Sequence, residues 1–431
     1  MLKSEPYWWE SAGRPTSPPD VALPKAVDVL VIGAGLTGLA AARILARKGR
    51  SVLVLDAMAP GEGASSRNGG MIGGGHRLST EALIRQFGSN IARDLLYEAH
   101  CASRDFTLHL MDDDEIACDY VECGRFRGLW TTKEYDEAGR ALDRLKAMVP
   151  VDAHMVPDTE QRAEAGTDLY SGGVVYPLHG SLNPAKWVGG LLKAAERAGA
   201  CVQGKTPVLD LRKNGASYTA ATSRGSIEAR DVLLATNGYT SAAFAQTKRR
   251  IVPLPSYIIT SEPLPPETIN SIFPKRRMVA ESRERHCYYR PSPDGQRLVF
   301  GGRAAMFEAP DWIVERELKR LIREIYPDLG TIGFSHLWRG KTGFTFSFLP
   351  HVGRIDGIWH AIGYCGSGNA MAPWLGHKAG LLIAGDPEGA TAFQKTPFPT
   401  RFWHRGYPWF LPFADLLFRG RDIWNAFGRK K

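Results

Sequence analysis

Between residues 28 and 56 the hydrophobic positions spell out a strand, a helix and a second strand. The apolar run Asp28-Val29-Leu30-Val31-Ile32 enters the glycine loop Gly33-Ala34-Gly35-Leu36-Thr37-Gly38, and a helical stretch follows that Gly49 is placed to cap. Ser51-Val52-Leu53-Val54-Leu55 then reads as a parallel strand ending on Asp56. Further on, the pattern predicts helices over Thr80 to Ile91 and Asp136 to Met148 around a strand-like Gly124 to Thr131. Leu182-Asn183-Pro184 opens a helix through Ala198, with Gly199 at its end and a strand near Val202. The apolar Val232-Leu233-Leu234-Ala235 stops at Thr236-Asn237-Gly238. From Ile251 to Phe300 the period shifts toward two, with strands at Tyr257 to Thr260, Cys287 to Arg290 and Arg297 to Phe300, so a separate antiparallel sheet is expected. Gly363 to Asn369 precedes a last helix, Ala372 to Ala384.

The first of these units has the spacing of a dinucleotide-binding βαβ fingerprint. Its first glycine allows the tight turn, its second lets backbone approach a pyrophosphate, and its third lets the helix lie close on the strand. The phosphates then meet free N–H groups at a helix N-terminus. Asp56 suits a ribose hydroxyl and repels a 2′-phosphate. The dense loop Gly61-Glu62-Gly63-Ala64-Ser65-Ser66-Arg67-Asn68-Gly69-Gly70-Met71 follows, where a nicotinamide-type domain would resume helix and strand at once.

A chain of 431 residues, 44% hydrophobic and 23% charged, is expected to form two domains of comparable size. No apolar run reaches a membrane span, and Met1 to Asp20 lacks the apolar core of a secretory signal, so a cytoplasmic location is expected. The six scattered cysteines read as free buried thiols, and the dispersed histidines predict no metal. The formal charge of +9 is expressed locally at Lys248-Arg249-Arg250, at Lys275-Arg276-Arg277, and at Arg283 with Arg285, which read as solvated faces. Residues 1 to 25, with Tyr7-Trp8-Trp9, read as an arm packed on the body. The tail from Arg401 to Lys431 interleaves nine aromatic residues, Phe402 to Phe427, with seven basic ones. That composition suits a membrane surface or a polyanion, but Pro408 and Pro412 are expected to break the helix an anchor needs, so packing on the body is the favoured reading.

Together, Val31 to Leu39, Gly63 to Gly70, Ala235 to Gly238 and Gly366-Ser367-Gly368 resemble the D-amino-acid oxidase-like (glycine oxidase-like) family of FAD-dependent oxidoreductases. The likeness is strongest to the gamma-glutamylputrescine oxidase type, through Tyr7-Trp8-Trp9, the Arg-Asn-Gly-Gly loop and Trp338-Arg339-Gly340. The resemblance implies an α/β fold: a Rossmann-like FAD-binding domain of glutathione-reductase-like topology and a discontinuous α+β substrate domain with an antiparallel sheet. It divides the chain into an arm (1–25), FAD-binding segments (26–80, 150–250, 336–392), substrate-domain segments (81–149, 251–335) and a tail (393–431).

The resemblance also implies roles. Gly33, Gly35, Leu36, Thr37 and Gly38 hold the pyrophosphate of a noncovalent FAD, and Asp56 with Ala57 holds the ribose. Gly63, Ala64, Ser65, Ser66, Arg67, Asn68, Gly69, Gly70 and Met71 face the phosphate and flavin, Val208 meets the adenine, and Thr236, Asn237 and Gly238 line the other flank. Gly340 lies near the flavin. Backbone N–H groups of Gly366, Ser367, Gly368, Asn369, Ala370 and Met371 stabilise the charge that reduction places on the flavin's pyrimidine end.

Two departures bear on the substrate. Glycine oxidase relatives clamp a carboxylate with arginines at the positions of Thr342 and Gly366, and neither residue replaces a bidentate guanidinium. Sarcosine oxidases tether flavin through a cysteine where Lys341-Thr342-Gly343 stands, with Cys365 nearby. The expected substrate is therefore a small-molecule amine, primary or secondary, gamma-glutamylputrescine-like, whose carboxylate lies far from the reacting carbon. The expected reaction is hydride removal to flavin with O2 as acceptor, and Tyr288 (or Tyr289), Arg303 and Lys341 are the candidate catalytic residues. His286 reads as a structural group. Alternatives are a dehydrogenase feeding a quinone or protein acceptor, and an RNA-binding flavoprotein, although no nucleic acid is expected because no recognisable module accompanies the basic clusters.

Overall fold

The computed structural model describes residues 2–19, 21–75 and 77–428, the last three of these by backbone alone. Val29 to Ile32 are buried because their strand, Ala26–Ile32, is sandwiched in parallel between Val52–Leu55 and Gly225–Leu234. The first sheet runs in the order His351–Ile355, Ile358–Ile362, Gly225–Leu234, Ala26–Ile32, Val52–Leu55, Cys201–Gln203. Ser217–Thr222 pairs antiparallel with Gly225–Leu234, and Val208–Asn214 pairs antiparallel with Ser217–Thr222 in turn. The helix Leu36–Arg47 follows the glycine loop and lies against the helix Gly368–Ala384. Their closeness depends on absent side chains: a Cβ on Gly376 would overlap the Thr37 carbonyl oxygen, and one on Gly380 would come within 2.9 Å of the Ala41 oxygen.

The second sheet has the order Phe334–Thr345, Ile251–Ser261, Leu298–Gly302, Cys287–Pro291, Met278–Glu281, Arg125–Gly128, Gly173–Tyr176, His154–Val156. It is antiparallel, as the period of two implied, except where Met278–Glu281 pairs in parallel with Arg125–Gly128. Three expected boundaries differ. Strands His154–Val156 and Gly173–Tyr176 join this second sheet, not the FAD-binding segment 150–250 in which the sequence places them, and Phe334–Thr345, most of it expected in the FAD-binding segment 336–392, does so likewise. Conversely, Leu83, Leu95, Leu96 and Leu110 pack into the core of the first sheet with Leu39 and Leu375. Short strands and helices carry no mark of which layer they join, because burial against either satisfies the same apolar pattern.

Helix ends differ for local reasons. The helix Thr80–Tyr97 runs past Ile91, and it kinks within the expected span at Gly88 (φ 78°). The helix Thr132–Met148 starts earlier than expected because Thr131 and Glu134 form a capping box. The last body helix begins at Gly368 rather than Ala372, so Pro373 is inside it. Pro412 does not prevent a tail helix: it occupies the first turn of Leu411–Gly428, where a missing N–H breaks no intrahelical bond. Of the tail aromatics, the Phe427 side chain lies outside the described residues, as do Arg429, Lys430 and Lys431.

The basic clusters are largely paired within the molecule rather than solvated. Lys275 and Arg277 both bind Glu164, Arg283 grips Glu281 through two 2.7 Å hydrogen bonds, and Arg285 pairs with Glu317 and Asp415. All six cysteines are free, four of them buried. No helix of the described residues is long and apolar enough to cross a membrane.

His351 and His360 stack with ring centroids 4.9 Å apart, joined by a 2.7 Å nitrogen–nitrogen hydrogen bond and covered by Phe398. Burial lowers their pKa values to about 4 and about 3, from an ordinary 6.5. The unfolded chain therefore binds more protons than the fold below about pH 6.5. The stability present above that pH is lost as pH falls toward 4, on the order of 2 kcal/mol by pH 5 for each histidine. Thermal unfolding followed from pH 7 to 5 should show a falling midpoint, and the double variant H351F/H360F should flatten the curve. An equal slope in that variant would remove the pair as its source.

Candidate active site

Two adjoining cavities lie between the sheets' facing elements. The first, about 340 Å3, follows the glycine loop. Gly33 adopts φ 110°, and a Cβ there would sit 2.8 Å from the Ala235 carbonyl oxygen. A Cβ on Gly38 would overlap the Gly33 carbonyl oxygen, which is why helix and turn can be this close. Asp56, at the end of the second strand, accepts hydrogen bonds from Ala34 N (2.7 Å) and Met58 N (2.9 Å). Burial nonetheless raises its pKa. Gly33, Gly35, Leu36, Thr37, Asp56, Ala57, Gly63, Ala64, Ser65, Asn68, Val208, Thr236, Asn237, Gly366, Gly368 and Asn369 line this cavity.

The second cavity, about 220 Å3, shares Ala64, Asn68, Thr342, Gly366 and Asn369 with the first, so the two meet at those residues. Arg67, Gly69, Met71, Gly340, Ser367 and Ala370 line it as well. Five of the residues expected to bind the cofactor are elsewhere. Gly38 and Gly238 are packed against backbone, and Gly70, with φ 66°, against the Leu182 carbonyl. Ser66 is buried beneath the Trp9 indole and Met371 is in the core.

The N-terminal arm fastens the 63–71 loop. Trp8 donates its indole N–H to Asn68 O (2.8 Å), Trp9 to Ser66 Oγ (3.2 Å) and Trp338 to Arg67 O (2.9 Å). Arg290, buried under Trp8, donates to Gly70 O (2.7 Å) and Leu182 O (3.0 Å). These contacts connect the arm and the second sheet to one loop; the aromatic knot marked the arm, but nothing in the sequence singled out Arg290.

Tyr288 lines the second cavity, whereas Tyr289 is turned into the core, bonded to the Tyr170 hydroxyl (3.0 Å) and stacked on Phe300. The Tyr288 ring fits only because a Cβ on Gly69 would lie 2.7 Å from it and one on Gly301 would overlap it. Its hydroxyl contacts Ser256 Oγ at 2.9 Å, and burial pushes the phenol up to about 12. His286 also lines the cavity, with its ring 6.1 Å from that of Tyr288, and burial with the Arg303 charge holds it neutral. Lys341 is at the rim, half-exposed, with Nζ 3.0 Å from Glu308 Oε1.

Arg303 lies over Phe344 (5.3 Å) and donates to Glu284 O (3.2 Å). Arg77, which sequence reasoning missed, lies over the same ring (5.1 Å) and donates its Nε to Cys365 O (3.2 Å). Burial, and for Arg303 the neighbouring Arg77 charge, lowers both pKa values, that of Arg303 to about 9. Arg125, also missed, keeps a buried Nε without a protein partner. With Arg67 and Lys341, five basic residues line this cavity, and none of its described lining residues is Asp or Glu. Arg77 stands where the absent clamp would reach, since a Cβ on Gly366 would lie 3.9 Å from Arg77 Nη2.

The walls fit FAD. The helix Leu36–Arg47 begins at Gly35, which has no side chain to cap it; Ser65 Oγ accepts from Leu36 N (3.1 Å), and Gly35, Leu36, Thr37 and Ser65 line the first cavity at that end. Asn369 donates Nδ2 to Asn68 Oδ1 (2.8 Å) and Met71 O (3.0 Å), while its own Oδ1 is buried without a protein partner at the junction of the cavities. An acceptor left open there suits the imide edge of a flavin. Cys365 lines neither cavity; its thiol donates to Gly363 O (3.2 Å) and is pushed up by burial.

Comparison with known proteins agrees with this geometry. The family model described as FAD dependent oxidoreductase (DAO) matches residues 28–380. The chain is 31% identical to the probable oxidoreductase OrdL of Rhizobium meliloti (strain 1021) over 88% of each chain. It is 28% identical to gamma-glutamylputrescine oxidoreductase of Escherichia coli (strain K12) over 86% of each. Among solved structures, glycine oxidase from Geobacillus kaustophilus superposes with a TM-score of 0.71 at 21% identity, covering 88% of this chain and 99% of that one.

Proposed function

The chain belongs to the DAO family of FAD-dependent oxidoreductases, and from that premise we propose that it oxidises a C–N bond of an amine whose carboxylate lies away from the reacting carbon. The carrying observation is the second cavity: it opens onto the junction at Asn369 and is lined by Arg77, Arg303 and Arg125 with no acidic residue. Such a wall costs free energy unless an anion enters it, and a guanidinium is the group that holds a carboxylate in two parallel hydrogen bonds. A γ-glutamyl amine of the gamma-glutamylputrescine kind has the required shape, with the carboxylate at one end and the amine at the other.

Bound FAD supplies the hydride acceptor. The chain's residues do the rest. Gly33, Gly35, Asp56 and Val208 hold the dinucleotide along the first cavity, and Asn68, Gly366 and Asn369 hold the flavin end at the junction. Arg77 and Arg303 orient the carboxylate, so that the amine end points toward the junction. The same positive walls disfavour an ammonium ion, so the amine enters neutral, with its lone pair free to assist loss of hydride. Leu254, Phe344 and Tyr288 keep water from the reacting carbon. The imine product hydrolyses in water, and dioxygen is the acceptor that reoxidises the enzyme.

The test is anaerobic addition of gamma-glutamylputrescine, putrescine, sarcosine, glycine and D-amino acids to the flavin-loaded protein, followed at the visible flavin bands. Bleaching by gamma-glutamylputrescine and not by putrescine is expected. Equal bleaching by putrescine would remove the carboxylate requirement, and bleaching only by D-amino acids or glycine would move the carboxylate next to the reacting carbon. Oxygen uptake by the reduced protein checks the acceptor; reoxidation only by an artificial dye would replace dioxygen.

A further inference from the structure

We propose that the tail helix Leu411–Gly428 and the loop before it dock the protein on an anionic lipid bilayer. The helix is amphipathic in the wrong sense for a surface helix. Its inward row, Leu411, Asp415, Phe418 and Asp422, contacts the body: Leu411 and Phe418 pack with Val252, Leu254 and Phe344, Asp415 pairs with Arg285 and Arg419, and Asp422 accepts from the backbone N–H groups of Glu284 (3.0 Å) and Arg285 (3.2 Å). Its outward row, spaced three, four, seven and eleven residues from the first, is Phe413, Leu416, Leu417, Gly420 and Trp424. The four side chains are 68%, 68%, 56% and 78% exposed. The helix thus turns both of its acids inward and its apolar row to solvent, the reverse of an ordinary amphipathic surface helix.

The preceding loop continues the pattern with Phe402, Tyr407 and Trp409, at 88%, 76% and 51% exposure. Arg401, just before Phe402, and Arg405, between Phe402 and Tyr407, are exposed, and the side chain of Lys248 lies against Gly406. Arg421 flanks the outward row and pairs with Glu284.

These observations favour lipid over a protein partner. The outward row has no hydrogen-bonding group except the Trp424 indole N–H, so it has nothing to set register or orientation with a folded partner, whereas a bilayer needs neither. Tryptophan and tyrosine with an apolar body and one polar atom are the residues that settle at headgroup depth. Flanking arginine and lysine, with no exposed acid in the described tail, complement anionic headgroups. The helix lies in the surface plane rather than crossing it, because its inward face is committed to the protein.

Co-sedimentation of the FAD-loaded protein with phosphatidylcholine vesicles, with and without phosphatidylglycerol, tests the proposal. Binding to the anionic vesicles that weakens with salt is expected. The triple variant F413D/L417D/W424D should reduce it by at least about tenfold, with FAD content and amine oxidation in solution unchanged. R401E/R405E should remove the preference for phosphatidylglycerol. No binding by a fully flavinated wild-type protein, or undiminished binding by the triple variant, overturns the proposal. So does a light-scattering mass showing a dimer that the triple variant dissolves without any vesicle binding, which would give the face to a second copy. These readouts do not depend on which amine the enzyme oxidises.

Discussion

Gly38→Ala is expected to yield protein that retains less than about a tenth of the wild-type FAD and unfolds at a clearly lower temperature. The added Cβ has no rotamer with which to escape: it overlaps the Gly33 carbonyl oxygen and lies 3.1 Å from Val31 Cγ1. Either the helix Leu36–Arg47 moves away from the strand or the turn opens, and both movements displace the N–H groups at the cavity wall. The helix cannot back away freely, because Gly376 and Gly380 already bring it into backbone contact with Gly368–Ala384. Overpacking of this kind typically costs roughly 1–3 kcal/mol, and here it lies at the upper end because the added atom meets backbone. Gly189→Ala is the control: that glycine lies in the helix Pro184–Arg197, with nothing within 4 Å of an added Cβ. It should be neutral or stabilising by about 0.5–1 kcal/mol through helix propensity. Absorbance at the flavin bands after desalting and a thermal melt read both variants. Full flavin content and an unchanged melt in Gly38→Ala would refute the close-packing account.

The second large effect is expected at the two arginines over Phe344. Arg303→Met should lower kcat/KM for a carboxylate-bearing amine by about a hundredfold, in line with the roughly 2–5 kcal/mol lost when one partner of a desolvated charge pair is removed, and Arg77→Met, at the more exposed of the two, should lower it by less. Methionine keeps much of the apolar stem on the ring, so FAD content and folding should be retained. An amine without a carboxylate should not lose rate, and it should gain where removal of positive charge eases its entry. Arg303→Lys should recover part of the loss, since it restores charge without the planar fork. Equal losses on both kinds of amine would show that the arginines support the fold rather than the substrate; no loss on either would put the carboxylate elsewhere.

The cofactor side was far more legible in the sequence than the substrate side. Gly33, Gly35, Gly38 and Asp56 are informative because backbone geometry over one strand–turn–helix–strand unit demands them: a Cβ on Gly33 or Gly38 would strike neighbouring peptide, and Asp56 bonds the Ala34 N–H of the turn. The period of two from Ile251 announced the second sheet for a similarly local reason. Alternation along Cys287–Pro291 said that Tyr288 and Tyr289 face opposite ways but not which faced the cavity. Gly69 and Gly301, distant in sequence, decided it by leaving room for Tyr288.

Tail proline spacing misled because Pro412 is harmless in a first turn, and only the fold shows where that turn begins. Arg283 and Arg285 looked like solvated charge, yet they are ion-paired with Glu281, Glu317 and Asp415, residues up to 130 positions away. Arg77 follows a run of glycines that carries no sign of a binding role, and it reaches the cavity because Cys365 O holds its Nε. The strand–turn–helix–strand pattern of residues 28–56 was enough to predict a dinucleotide cofactor, since that task is performed by contiguous backbone. The charge and shape of the substrate cavity were decided only by tertiary structure, because Arg77, Arg125, Tyr288, Arg303 and Asn369 come from five separate elements and meet through sheet register and helix packing that no local pattern encodes.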